Sequence, residues 1–214
     1  MTAIFDFILV TVALVDLALL GTSRLATSVR LAAVQGMALS LLPLLASDDG
    51  IGLRVLLFAA GIFVLKGLVF PGLLMRALRT ADVRHEVGPY IRYAPSMLLG
   101  VLILATCFWL GSEFELPRPT ISPLVLPIAL ATILIGLLLI VSRRTALNQV
   151  IGYIVLENGI FVFGAALALE EPFLVEIGVL LDVFVAVFVM GITIFHISRE
   201  FDHIDVDQLS LLKE

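Results

Sequence analysis

The 214-residue chain contains one cysteine, Cys107. It can therefore form no disulfide within itself, and no four-thiolate zinc or iron–sulfur site from its own side chains. Charge is also scarce: Asp, Glu, Lys and Arg make up 14% of residues, where a soluble domain has about 25%. The net charge of −5 argues against a nucleic-acid partner. The chain has no phosphate-cradling glycine loop ending in Gly-Lys-Ser/Thr, no Cys-x-x-Cys-His haem attachment and no nucleophile–base pair in a soluble segment. No redox or hydrolytic chemistry, metal or cofactor is expected on this chain itself. What remains is grease: 61% of residues are apolar, which excludes both disorder and a water-soluble globule.

A bilayer-spanning helix needs about 20 mostly apolar residues. Seven stretches qualify: 3–21, 29–46, 52–75, 95–111, 123–141, 147–169 and 173–197. The expectation is an all-α integral membrane bundle, since outer-membrane strands show alternating segments of about 10 residues. The first stretch lacks a basic leader and a small-residue cleavage site, so it is expected to be a retained helix. Basic residues set the orientation. Arg24, Arg30, Arg76, Arg79, Arg84, Arg92, Arg143, Arg144, Arg199 and Lys213 fall on one side, with only Arg54 and Arg118 opposite. That places the N-terminus outside and the C-terminus in the cytoplasm.

The chain divides into a four-helix region at 1–122, a three-helix module at 123–199 and an acidic cytoplasmic tail at 200–214. The longest connection, about 76–94, mixes arginines with Tyr90 and Tyr93 and reads as a surface segment or a tyrosine-anchored loop. A shift of about 122 residues lays Gln35 on Glu157 and Asp48-Asp49 on Glu170-Glu171, a faint sign of parallel repeats.

An ionisable group near the bilayer centre costs about 2.5–3.5 kcal/mol on insertion scales, so each is a candidate functional site. Counted from the span ends, Lys66 falls just past the middle of span three, Glu157 at the middle of span six and Asp182 slightly outside the centre of span seven. One lysine and two carboxylates share nearly one level, leaving an acid in surplus of the lysine to take up or release a proton. Pro71 lacks an amide hydrogen and clashes with the carbonyl of Gly67, so these two form an expected hinge one turn from Lys66. Tyr153 lies at i−4 and Phe161 at i+4 from Glu157, and Asn158 follows it directly. Gly178, Asp182 and Ala186 form a small-residue stripe suited to close packing. Asp16 lies toward the cytoplasmic end of span one, where snorkelling or capping accounts for it. A buried ion pair that only holds the bundle together is the plain alternative for Lys66.

Taken together, Lys66-x-x-x-x-Pro71, Ser142-x-Arg144, Gln149-x-x-Gly152-Tyr153-x-x-x-Glu157-Asn158-Gly159, Leu174-Val175-Glu176-Ile177-Gly178, Asp182 and Ile204-Asp205-Val206-Asp207-x-Leu209 resemble the hydrogenase-4 component E family. These are membrane subunits of the formate hydrogenlyase and group 4 nickel–iron hydrogenase class. The last three spans also resemble the K subunit of complex I and the C subunit of multisubunit sodium/proton antiporters. There a paired-basic loop precedes a helix bearing a membrane glutamate, and Arg143-Arg144, Glu157 and Asp182 are the nearest positions. The K-subunit glutamate corresponds to Ile154, three residues before Glu157, and the second acid here is aspartate.

The resemblance implies a noncatalytic membrane subunit of a respiratory oxidoreductase complex in the inner membrane of a prokaryote. Its implied neighbours are antiporter-like subunits, a quinone-site-like anchoring subunit, and cytoplasmic iron–sulfur and nickel–iron-like subunits. Glu157, Asp182 and Lys66 are the implied proton or cation relay, with Asp16, Tyr153 and Asn158 in second rank. The competing readings are a subunit of a cation/proton antiporter with no redox partner, and a structural scaffold.

Overall fold

Apolar stretches of this length leave the backbone no water to bond, and an α-helix satisfies every amide within the segment. The computed structural model describes residues 2–46, 52–80, 89–113 and 122–167, and its regular elements are helical. α1 (Thr2–Gly21) is followed by α2 (Leu25–Leu39), which turns at Ser40 and Leu41 into the short α3 (Leu42–Ala46). Pro43 explains the turn: its ring excludes the carbonyl four residues back, at Leu39. The ladder tightens there to a bond from Leu41 N to Ala38 O of 3.3 Å.

The third span is made of α4 (Leu53–Ile62), a π-helical segment (Phe63–Val69) and α5 (Phe70–Thr80). α6 (Tyr93–Glu113), α7 (Val125–Ser142) and α8 (Ala146–Leu167) complete the described bundle. Among the described residues, six helical stretches are long and apolar enough to cross a membrane, and they fall on the first six expected spans. The seventh, 173–197 with Asp182 and its small-residue stripe, and the tail from 200 lie outside the described residues.

Two boundaries differ from expectation. α2 starts four residues early, at Leu25, because Leu25 and Val29 are both buried on its inner face. α5 runs past 75 to Thr80, since Phe70, Leu74 and Ala77 keep one face buried while Arg76 and Arg79 face outward. The first residues of the expected 76–94 connection are therefore helix.

Two apolar clusters fix how the helices run. One joins Leu19 and Leu20 of α1, Val29 and Ala32 of α2, Phe70 and Leu74 of α5, Ile135 and Leu139 of α7, and Val150 to Val155 of α8. The other joins Phe5 to Val12 of α1, Leu39, Leu42, Val125, Ile128, Ala129 and Val162. The first cluster takes the late residues of α1 and α7 but the early residues of α2 and α8. Consecutive helices therefore alternate in direction, as short connections require. Arg24, Arg76, Arg79, Arg92, Arg143 and Arg144 all belong to helix ends on the side of the first cluster. Leu98, Leu102, Phe108 and Trp109 of α6 are exposed, the face a bilayer or a neighbouring subunit would cover.

The closest approach is between α7 and α8. A Cβ on Gly136 would overlap the backbone of Leu156, so only a missing side chain lets the two backbones touch.

Candidate functional site

Between the two apolar clusters lies a polar layer, and each of its members is read off the gap in its own helix. Asp16 sits between Val12 and Leu19, Gln35 between Ala32 and Leu39, Thr132 between Ala129 and Ile135, and Glu157 and Asn158 between Val155 and Val162. Lys66 comes from the π-helical segment. Asp16, Gln35, Thr132 and Asn158 have no exposed surface, and Lys66 and Glu157 have 2% each.

The π-helical turn has a local cause. Proline at 71 cannot supply the hydrogen bond that a regular helix needs there, and the ladder widens just before it, with Phe70 N–H reaching back five residues to Leu65 O. The expected hinge is thus a stretch of wider helix, a geometry frequent at functional sites. On the facing helix, Gly36 lies directly against Lys66. A Cβ there would be 2.5 Å from Lys66 Cβ and 3.2 Å from its carbonyl oxygen. The neighbouring Gln35 is thereby drawn into the layer.

Lys66 Nζ donates to Glu157 Oε1 at 2.8 Å and to Asn158 Oδ1 at 2.9 Å. It also lies 5.2 Å from the centroid of the Phe161 ring, which Glu157 shares a helix face with at i+4. Asn158 Nδ2 donates to Gln35 Oε1 at 3.2 Å. Gln35 Nε2 in turn donates to Asp16 Oδ1 at 2.8 Å, and Thr132 Oγ1 donates to Asp16 Oδ2 at 2.7 Å. One hydrogen-bonded chain therefore joins α1, α2, the π-helical segment, α7 and α8.

The structure brings Lys66 and Glu157 together as an ion pair with both side chains out of solvent. Asn158, expected to assist Glu157, instead bridges the lysine to Gln35. Asp16 is the largest departure. Its place near the end of span one suggested snorkelling or capping, yet it lies fully buried within the layer. Tyr153 lies one turn before Glu157, half-buried against the first apolar cluster. Asp182 lies outside the described residues. Among those described, the carboxylate in surplus of the lysine in this layer is Asp16.

Gln35 and Thr132 are site members that sequence reasoning passed over, and Arg143 was placed there only as half of a paired-basic loop. Gln35 stood out only through its alignment with Glu157 under the 122-residue shift. Threonine is unremarkable in a membrane helix, because its hydroxyl can bond the carbonyl one turn back. Arg143 looked like a loop charge at the end of span five. It is 1% exposed, its guanidinium donates to the carbonyl of Leu20 at the end of α1, and it lies 4.7 Å from the Tyr93 ring centroid. Arg144 lies 4.9 Å from the Tyr90 ring, while Tyr90 N–H bonds Ser142 O at 3.0 Å. The paired arginines thus tie three helix ends together at the basic side of the bundle.

Chemically, the layer holds one cation, two carboxylates and the amides and hydroxyl that connect them. Such a set can bind, release and redistribute protons, and it can respond to a charge moving nearby.

Comparison with known proteins agrees with the motifs. The family model for NADH-ubiquinone/plastoquinone oxidoreductase chain 4L matches residues 124–214. Hydrogenase-4 component E of Escherichia coli K12 is 35% identical over 162 residues, covering 75% of this chain and 74% of that protein. The same protein of Shigella flexneri matches to the same extent. An uncharacterized protein of Mycobacterium tuberculosis is 32% identical over 187 residues, 87% of this chain and 85% of its own length. No solved structure matches the chain significantly. With more than a third of residues shared across three quarters of both chains, and its last spans matching the chain 4L model, this all-helical membrane protein belongs to the hydrogenase-4 component E family.

Proposed function

We propose that this chain is a noncatalytic membrane subunit of a group 4 hydrogenase-type, complex I-related respiratory complex of a prokaryotic inner membrane. In that role its buried charges contribute to proton or cation translocation driven by electron transfer in other subunits. The observation that carries the reading is the similarity to hydrogenase-4 component E over three quarters of both chains. The buried Lys66–Glu157 pair supports it, because a bundle gains little from placing ions at mid-membrane unless they act.

In this reading Glu157 and Asp182 exchange protons, and Lys66 sets the charge to which they respond. Asp16, Tyr153 and Asn158 assist, and the π-helical segment that holds Lys66 and Gly67, with Pro71 just beyond it, gives the lysine room to change partners. The N-terminus faces outward and the C-terminus the cytoplasm, in keeping with the arginines gathered at one end of the bundle. Residues 123–199 form the K-subunit-like module, since the chain 4L model begins at 124. The partners are antiporter-like subunits, a quinone-site-like anchoring subunit, and cytoplasmic iron–sulfur and nickel–iron-like subunits.

Purification of the complex through an affinity tag on this chain tests the reading. Iron–sulfur and nickel–iron-like subunits in stoichiometric amount are the expected companions. A set of antiporter subunits with no redox protein overturns it in favour of the antiporter reading.

A further inference from the structure

The hydrogen-bonded chain has a direction. A primary amide accepts only through its oxygen and donates only through its nitrogen, and a lysine ammonium only donates. Lys66 therefore obliges Asn158 to turn Oδ1 toward it, at 2.9 Å, which leaves Nδ2 for Gln35 Oε1 at 3.2 Å. That obliges Gln35 in turn to present Nε2 to Asp16 Oδ1, at 2.8 Å. Each bond from Lys66 to Asp16 points the same way, and reversing either amide would set two donors or two acceptors face to face.

The two oxygens of Asp16 are consequently unlike. Oδ1 faces a nitrogen that can only donate, so a proton has no place there. Oδ2 faces the Thr132 hydroxyl at 2.7 Å, which can donate or accept. We infer that Asp16 is a proton-exchanging site that loads on Oδ2, with Thr132 as its switch and the Gln35–Asn158 bridge coupling its occupancy to the Lys66–Glu157 pair. This deepens the translocation reading by naming the second carboxylate of the layer among the described residues and the groups that position it.

The proton step balances simply. A hydronium ion at the bundle surface gives up a proton and becomes water, and the proton taken up ends on Asp16 Oδ2. The Thr132 hydroxyl hydrogen swings to a carbonyl one turn back on α7, so that its oxygen accepts from the new acid. The layer, with one cation and two anions, then becomes neutral.

Among the described residues, the groups that face Asp16 can be named from each helix packed on α1. α2 brings Gln35, and α3 carries no charge. α6 carries Cys107 along its length and Glu113 at its far end, while α7 brings Thr132 and, at its end, Arg143. Lys66 and Glu157 are reached through the amide bridge.

Thr132, Gln35 and Asn158 are positioning residues, and infrared spectroscopy distinguishes that role from a merely structural one. The full chain in lipid nanodiscs is titrated with acid, and the carbonyl band of a protonated carboxylic acid is followed. One such band is expected to vanish in Asp16→Asn. With the proton on Oδ2, the carbonyl oxygen is Oδ1, so Gln35→Leu moves this band to higher frequency and Thr132→Val does not. Thr132→Val instead tightens proton binding about tenfold, because the bond it removes is stronger to the charged carboxylate than to the acid; Thr132→Ser restores it. Glu157→Gln loosens proton binding about tenfold by removing an anion of the same network.

A titration with no band assignable to Asp16, or an Asp16 band that Glu157→Gln leaves in place, overturns the inference. An exchange of the Gln35 and Thr132 signatures overturns the assignment to Oδ2. Because the readout is proton binding by this chain, a failure here is distinguishable from a failure of the complex to pump.

Discussion

Replacing Lys66 by methionine removes a cation and leaves its partners in place. The side chains of Lys66 and Glu157 are 1% and 2% exposed, so solvent cannot take over the role of the ammonium. Glu157 Oε1 loses a 2.8 Å charge-assisted bond and Asn158 Oδ1 loses a donor at 2.9 Å. Breaking a buried pair from one side costs about 3–5 kcal/mol in soluble proteins. Within a membrane, single hydrogen bonds average only about 0.6 kcal/mol, because the unfolded chain also finds partners. The lower end of the range, about 3 kcal/mol, is therefore the expected loss, or roughly a hundredfold in the folding equilibrium. The double variant Lys66→Met/Glu157→Leu removes both charges and keeps apolar volume, so it should recover most of that loss. The cycle should return an interaction of about 3 kcal/mol or more, at or above the top of the usual scale for contacting residues of one network. The assay is reversible denaturation of the full chain in mixed micelles by titration with a denaturing detergent. If the single variants cost about 0.5 kcal/mol or less and their effects add, the pair behaves like an exposed one and the energetic reasoning is refuted.

Variants at Gly36, Gly136 and Arg143 probe the parts that hold the layer. Gly36→Ala places a Cβ 2.5 Å from Lys66 Cβ, so α2 must retreat; the expected loss is about 1–3 kcal/mol, with a weakened Gln35–Asn158 bond seen as a shifted side-chain amide band. Gly136→Val forces α7 off the Leu156 backbone and should cost more than Gly61→Val, where a Cβ meets nothing within 4 Å; the two are compared by the same denaturation. Arg143→Met removes the cap on the Leu20 carbonyl and the contact with Tyr93, at about 2–3 kcal/mol. Arg143→Lys should recover only part of this, since an ammonium lacks the planar fork that both stacks and donates. Full recovery would mean that charge alone matters there.

Residue counting located the Lys66–Glu157 pair because both lie near the middle of long apolar runs, where depth is insensitive to a few residues of boundary error. The same counting misplaced Asp16. It lies five residues before the end of α1, a position that reads as interfacial. In the folded bundle Leu19, Leu20, Phe70, Leu74 and Val150 pack beyond it and seal it in. Depth near a helix end depends on what neighbouring helices add, and that is tertiary information. Thr132 and Gln35 were hidden for another reason: a neutral polar side chain in a membrane helix has several satisfied states, and only the fold selects a partner 116 or 19 residues away in sequence. Pro71 announced a break near Lys66, but whether the helix would bend or widen depended on α2 lying against it at Gly36.

We propose that the buried charges serve ion movement and not packing alone. This proposal is tested most directly by proton transport in inverted membrane vesicles containing the assembled complex with Glu157→Gln. The account predicts subunit content and electron transfer comparable with the parent, with fewer protons moved per electron. Undiminished pumping, or a complex that fails to assemble in proportion to the activity lost, would contradict it.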